Sequence, residues 1–238
     1  MLQDYLRTLL TKYELPDSAV MADGDTVLVD GKQYPLFAHR YERRFVEMRR
    51  LLHDGTVTGL SALRCGRITA RGVPLMDTIR RELDLCRFLT GHEIVSVTAF
   101  LRDDRAGMLL AEMDDGVVAS IETANTLPDG AEPIDKHEAI GARGLVCDRV
   151  VDTQIPQRSI YLYADEDSSF TDVDFELYGL GAQDVSAVRA AFALVKDTAR
   201  REDVLRDSAI LDRLMECAVE SAKNGEKAIV RGGERWKS

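Results

Sequence analysis

Residues 72–91 read GVPLMDTIRRELDLCRFLTG, and the spacing within this stretch decides the fold. Met76, Ile79, Leu83, Cys86 and Leu89 recur every three or four positions, which is one buried face of an α-helix. Asp77, Arg81 and Asp84 stand at i, i+4 and i+7, so they share a second stripe beside the buried one. Gly91 falls where a left-handed residue would end the helix.

On either side of this helix the pattern is that of strands. Residues 57–69 precede it as one strand, and 93–102, 107–113 and 117–125 follow it, rich in Val, Ile, Leu and Thr. Asp114-Asp115-Gly116 forms a hairpin turn between the last two. Residues 159–163 alternate Ile160 and Leu162 with Tyr161 and Tyr163, as a strand with one open face would, and an acidic loop follows over 165–174. Upstream, Phe45, Met48, Leu51 and Leu52 give a helical stripe that Asp54-Gly55 stops. The chain opens with a helix over 2–12, broken by Pro16 and Asp17. Two short strands, 26–30 and 33–37, then turn at Asp30-Gly31. Two helices close it. One carries Val185, Val188, Phe192 and Val195, with Asp184 as its N-cap; the other carries Leu211, Leu214, Ala218 and Ser221 and ends at Asn224-Gly225.

Composition narrows the class. A chain of 238 residues that is 45% hydrophobic is globular and able to bury a substantial core. Its net charge of −10 argues against a nucleic-acid surface or an anionic membrane as partner. The opening MLQDYLR lacks the apolar core of a secretory signal, and no run of eighteen apolar residues occurs. Cys65, Cys86, Cys147 and Cys217 are scattered without a C-x-x-C pair, as reduced cytoplasmic thiols are. The expectation is a cytoplasmic protein with no metal site.

The central helix resembles the catalytic helix in the C-terminal domain of the glucose-fructose oxidoreductase / inositol dehydrogenase / MocA family. That family's pattern, G-G-x-L-x-D-x-G-x-H-x-x-D-L followed by L-x-G, meets Asp77 and Asp84 at its two acids, Leu85 at its Leu and Leu89 to Gly91 at its close. Arg44-Phe45, Gly55 and Gly59 are similar to its lead-in, and Gly141, Gly144, Leu145 and Asp148 to its x-x-G-x-x-G-x-L-x-x-D strands. Ser221, Ala222 and Gly225 resemble its usual ending. The resemblance runs over roughly 38–231. It departs at two places in the central motif: Ile79 stands for a Gly, and Arg81 stands for the His that would act on a sugar hydroxyl.

The resemblance implies an α+β domain: a largely antiparallel, open sheet with helices packed on one face. The resemblance covers an oxidoreductase C-terminal-like domain over 38–238, and residues 1–37 read as an N-terminal extension of helix and β-hairpin outside the family's pattern, the two expected to form one compact unit. Family members pair subunits through the open sheet face, and a bare apolar sheet face needs a cover in any case, so a homo-oligomer is expected. The family's Rossmann domain would bring G-x-G-x-x-G and a Glu-Lys-Pro with the catalytic Lys. Here Gly179-Leu180-Gly181 is followed by Asp184 at the sixth position, and Glu226-Lys227 by Ala228, so neither is a cofactor motif.

For chemistry, the chain supplies at most an Asp. Arg81 stays protonated and cannot be a general base. No catalytic residue is expected in the chain alone, with Asp77, Arg81 and Asp84 as degenerate family positions. Arg80, Arg81, Cys65 and Arg67 are candidates for binding a ligand, the arginines suiting an anion such as a carboxylate or phosphate. The plainer alternatives are an i, i+4 ion pair of Arg81 with Asp77 and ordinary strand alternation for Cys65 and Arg67. His92 reads as a loop residue, and His39 and His137 form no metal-ligand spacing. Three functions fit: a non-catalytic binding or oligomerisation protein; one half of a split NAD(P)-dependent sugar or polyol oxidoreductase, whose Rossmann-domain partner would bring the only cofactor; or a decayed gene product that folds without activity.

Overall fold

A computed structural model describes residues 1–22, 25–149, 160–166, 168–170, 177 and 179–230. In chain order the elements are α1 (Leu2–Lys12), β1 (Ala19–Ala22), β2 (Thr26–Val29), β3 (Lys32–Pro35), a 3-10 turn (Ala38–Tyr41), α2 (Arg43–His53), β4 (Thr58–Ala70) and α3 (Leu75–Thr90). They continue with β5 (Ile94–Arg102), β6 (Ala106–Met113), β7 (Val118–Leu127), β8 (Ile134–Arg143), β9 (Leu145–Cys147), β10 (Ile160–Tyr163), β11 (Ser168–Phe170), α4 (Ala182–Lys196), α5 (Ala199–Asn224) and β12 (Ala228–Ile229). The expected acidic loop over 165–174 and residue 159 of the expected strand lie partly or wholly outside the described residues. Among the described residues no helix is long and apolar enough to cross a membrane.

The chain forms two units, residues 1–46 with 172–210, and residues 47–171 with 211–238. In the first, β1, β2 and β3 make a small antiparallel sheet in that order. Asp30 (φ 51°) and Gly31 (φ 79°) both adopt the left-handed conformation between Val29 and Lys32, which is what a two-residue hairpin turn requires. Leu6, Leu9 and Leu10 of α1, Val27 and Val29 of β2, and Val188, Ala191 and Leu194 of α4 share one buried core. Helix α4 starts at Ala182 with Gly181 as its N-cap, so Asp184 lies in the first turn rather than at the cap. There its carboxylate still faces the positive end of the helix dipole.

The second unit carries a nine-stranded sheet in the order β11-β10-β9-β8-β4-β7-β6-β5-β12. Every pairing is antiparallel except β4 with β7. This is the α+β, mostly antiparallel open sheet expected from the sequence. The parallel pair follows from the route of the chain: β4 leads through α3 into the meander β5-β6-β7, whose last strand returns beside β4. Alternation along the strands separates two faces. Leu63 and Cys65 of β4, Leu109 and Ala111 of β6, and Ala119 and Ile121 of β7 are buried on the face that α3 packs against. Ser221, from the last turns of α5, accepts the Ala99 N–H at 2.9 Å on Oγ and donates to Glu226 O.

The glycine pair at 141 and 144 serves two purposes. Gly144 has φ +89° and closes the turn between β8 and β9, receiving the Gly141 N–H on its carbonyl at 3.0 Å. Gly141 has no positive φ; instead a Cβ there would stand 2.6 Å from Thr58 O and 2.9 Å from Val57 Cγ1. For Gly144 the requirement is conformational, and for Gly141 it is space. Gly141→Ala is therefore expected to lower unfolding stability by about 1–3 kcal/mol, read as a reduced urea midpoint with an unchanged slope.

Candidate functional site

Helix α3 begins after Pro74 and ends at Gly91, whose left-handed φ of 73° lets its N–H reach Arg87 O. Of the five apolar positions the spacing predicted to be buried, Ile79, Leu83, Cys86 and Leu89 are fully buried, while Met76 in the first turn is only partly so and Leu75 beside it is buried instead. The same face also carries Glu82, three residues from Ile79 and four from Cys86, at 0% exposure. An ionised carboxylate in that position must be paired. Its partner comes from β8, where the antiparallel register sets His137 beside Cys65 and Asp135 beside Arg67.

His137 is wholly buried, with Nε2 2.9 Å from Glu82 Oε2 and Nδ1 2.6 Å from Asp148 Oδ2. Asp148 follows β9; its Oδ1 accepts the His137 N–H at 2.7 Å, and its own N–H donates to His137 O at 3.1 Å. Both ring nitrogens therefore face carboxylate oxygens, and only the doubly protonated imidazolium can donate to both. Arg81 pairs with Glu82 from the adjoining position on α3. Arg67 Nη1 lies 2.6 and 2.8 Å from the two carboxylate oxygens of Asp135. Three cations, Arg67, Arg81 and His137, thus stand among three carboxylates, Glu82, Asp135 and Asp148.

The electrostatics follow from burial and neighbours. Burial by itself opposes charging Glu82, but His137, Arg81 and Arg67 outweigh it and hold the carboxyl well below the usual range. Burial likewise opposes charging His137, and the carboxylates of Glu82 and Asp148 raise it from its ordinary 6.5 to about 10. Cys65, wholly buried with its Sγ 3.7 Å from Cys86 Sγ, is raised well above the ordinary thiol value by that contact and by burial. These are inert thiols and a locked imidazolium, neither available as a nucleophile or base.

Of the residues singled out from the sequence, Cys65, Arg67 and Arg81 come together between α3 and the sheet, while the others do not. Asp77 is exposed, and among the described residues the expected Arg81–Asp77 pair does not form. Arg80 turns to Asp212 of α5 at 2.6 Å. Asp84 is buried next to Arg87, whose guanidinium forks onto Glu93 with two 2.7 Å bonds. The stripe of Asp77, Arg81 and Asp84 thus runs from solvent into the interior. Glu82, Asp135, His137 and Asp148 escaped the sequence reading as a group; an acid set within an apolar helical face was the available signal for Glu82. His92 lies at the surface, 2.8 Å from Asp114 and 3.4 Å from Asp115, and these three exposed groups are the one close array of metal-ligating side chains among the described residues.

Opposite α3, the other face of the sheet is open. It holds a concavity of about 770 Å³ bordered by Arg64, Gly66, Phe100, Met108, Glu122 and Lys136. Phe100 is 60% exposed, and Ile68, Met108, Leu110, Val118 and Ile134 are exposed around it.

No protein-family model matches this sequence, and no curated protein is significantly similar to it. Solved structures are similar in fold. An oxidoreductase domain protein from Kribbella flavida superposes with a TM-score of 0.66 at 14% identity, over 82% of this chain and 66% of its own. Levoglucosan dehydrogenase in complex with NADH gives 0.65 at 15% identity, over 82% and 64%. An oxidoreductase from Agrobacterium radiobacter in complex with NAD+, L-tartaric acid and magnesium gives 0.66 at 15%, over 81% and 63%. The chain spans just under two thirds of the length of each. The match bears out, as a likeness of fold, the resemblance to the C-terminal domain of these oxidoreductases.

Two outcomes test the buried cluster. Glu82→Ala removes one of two carboxylates from His137 and is expected to destabilise the fold by about 3–5 kcal/mol, measured by urea denaturation. With pH, the His137 contribution is complete below the ordinary 6.5 and is lost as pH rises through about 10. The Glu82 contribution is complete above its ordinary 4.5 and is lost as pH falls toward its depressed value. Unfolding free energy is therefore expected to decline from pH 6.5 toward 10, and His137→Gln to flatten that decline.

Proposed function

We propose that this chain is a non-catalytic binding or oligomerisation protein built on the fold of an oxidoreductase C-terminal domain. The observation that carries the reading is the state of Arg81. It occupies the position where the resemblance would put an acting histidine, and it is engaged with the buried Glu82. A permanently protonated guanidinium cannot take a proton from a hydroxyl. The nearest imidazole, His137, is sealed at 0% exposure between two carboxylates, so it cannot reach a substrate either. The open sheet face supports the oligomerisation half of the proposal. Exposed Phe100, Met108, Leu110, Val118 and Ile134 form an apolar surface that water disfavours, and a second copy of the chain is the proposed cover.

A second reading has a specific observation in its favour. The fold is kept along four fifths of the chain in likeness to a dehydrogenase in complex with NADH and an oxidoreductase in complex with NAD+, and such a domain could serve as the substrate subunit of a split sugar or polyol oxidoreductase. The Rossmann-type partner would then supply the NAD(P) site and the catalytic Lys.

Two measurements separate these readings. The isolated chain is expected to show no NAD(P)-dependent turnover of inositol or other polyols; tight NAD(P) binding with turnover would overturn the proposal. In an affinity isolation from the source lysate read by mass spectrometry, the chain is expected to return as a homo-oligomer. Stoichiometric recovery of a dinucleotide-binding polypeptide would transfer the case to the split enzyme.

A further inference from the structure

The end of α3 and the tip of the β6–β7 hairpin meet at the surface of the second unit. His92 follows the left-handed Gly91, and its N–H donates to Thr90 Oγ1 at 3.1 Å. Asp114 and Asp115 sit in the hairpin turn, which the Met113 N–H closes onto Val117 O at 2.8 Å. The two loops are tied through the backbone, since the Asp114 N–H donates to Glu93 O at 2.9 Å. His92 and Asp114 stand 22 positions apart in the chain, so no local spacing announces the group; the pairing of β5 with β6 brings it together.

Three side chains converge there. His92 Nδ1 lies 2.8 Å from Asp114 Oδ1, and Nε2 lies 3.4 Å from Asp115 Oδ2. One ligating atom from each residue lies within 4.8 Å of the other two. A tetrahedral ion about 2.1 Å from each ligand holds its ligands about 3.4 Å apart, so small side-chain rotations suffice to admit one. Asp115 keeps Oδ1 on the Val117 N–H at 3.1 Å, which leaves Oδ2 turned to the imidazole. The Glu93 carboxylate is held by Arg87, and the remaining coordination positions fall to water.

Charge argues for the same occupant. Two carboxylates flank one ring, and among the described residues no Lys or Arg pairs with either of them. An imidazolium offsets only one of the two charges, whereas a divalent cation on a neutral imidazole balances both. The imidazole also selects the ion, because a nitrogen donor beside carboxylates suits zinc better than calcium or magnesium, which favour oxygen alone. We propose that His92, Asp114 and Asp115 bind a divalent metal ion of the zinc class, clamping the end of α3 to the β6–β7 hairpin. The site stands apart from the open sheet face and does not depend on oligomerisation.

The test uses the whole chain with zinc chloride in reducing buffer, read by titration calorimetry and thermal unfolding, with circular dichroism to confirm the fold of each variant. The wild-type chain is expected to take up one Zn2+ and to rise in Tm as zinc is added. His92→Ala, Asp114→Asn and Asp115→Asn should each weaken binding at least about tenfold and remove the zinc-dependent rise. Asp115→Asn retains an oxygen for the Val117 N–H, so its effect reads the lost charge. No uptake up to about 1 mM zinc would overturn the proposal. Uptake that survives His92→Ala places the ion elsewhere and also overturns it; Cys217→Ser then shows whether that partly exposed thiol is the ligand. Binding lost with His92→Ala but kept in either Asp variant reduces the site to an adventitious ion on a surface imidazole, and the three-ligand site falls.

Discussion

The feature on which the second unit depends is a single buried imidazolium. His137 has no contact with water, so its charge stands only because Glu82 on α3 and Asp148 beyond β9 each offer a carboxylate oxygen to one of its nitrogens. The three residues come from three separate elements, and the network is satisfied only when all three are in place. Apolar packing would tolerate a small slide of α3 along the sheet. A charged, doubly bonded ring in a low-dielectric interior would not, because each lost bond leaves a charge stripped of water and unpaired.

The same constraint shapes what α3 can do. Arg81 and Arg67 look from their chemistry like anion-binding groups, but both face carboxylates supplied by the protein itself. The layer between α3 and the sheet is filled by ion pairs and by the contacting thiols of Cys65 and Cys86. On the opposite face of the sheet, Phe100, Met108, Leu110, Val118 and Ile134 meet solvent. The helix-covered side is thus internally neutralised, while the other side is exposed and apolar.

Much of the second unit could be read directly from periodicity. The helix of residues 75–90, its end at Gly91 and the strands on either side of it all rest on local spacing, and local spacing survives folding. The Asp30-Gly31 hairpin was equally legible, because its φ requirement is met within two residues. The third strand of that small sheet, Ala19–Ala22, was not. It is four residues long, and its only cue is the pairing it makes with β2.

The sequence by itself determined the central helix, its end at Gly91 and most strands of the large sheet, and through the family resemblance it implied an open sheet face and set Arg81 where an acting histidine would stand. The elements are a matter of side-chain type at fixed spacing; the other two rest on the resemblance. Only the tertiary structure decided that Glu82, His137 and Asp148 form one cluster, that Arg81 serves Glu82 rather than Asp77, and that α4 shares a core with α1 and the first hairpin. Those contacts join separate segments, 55 positions apart for Glu82 and His137 and 11 for His137 and Asp148, or settle a choice between neighbours on one helix. Their partners are selected by strand register and by the cost of burying an unpaired charge, and neither can be evaluated until the distant segments are in place.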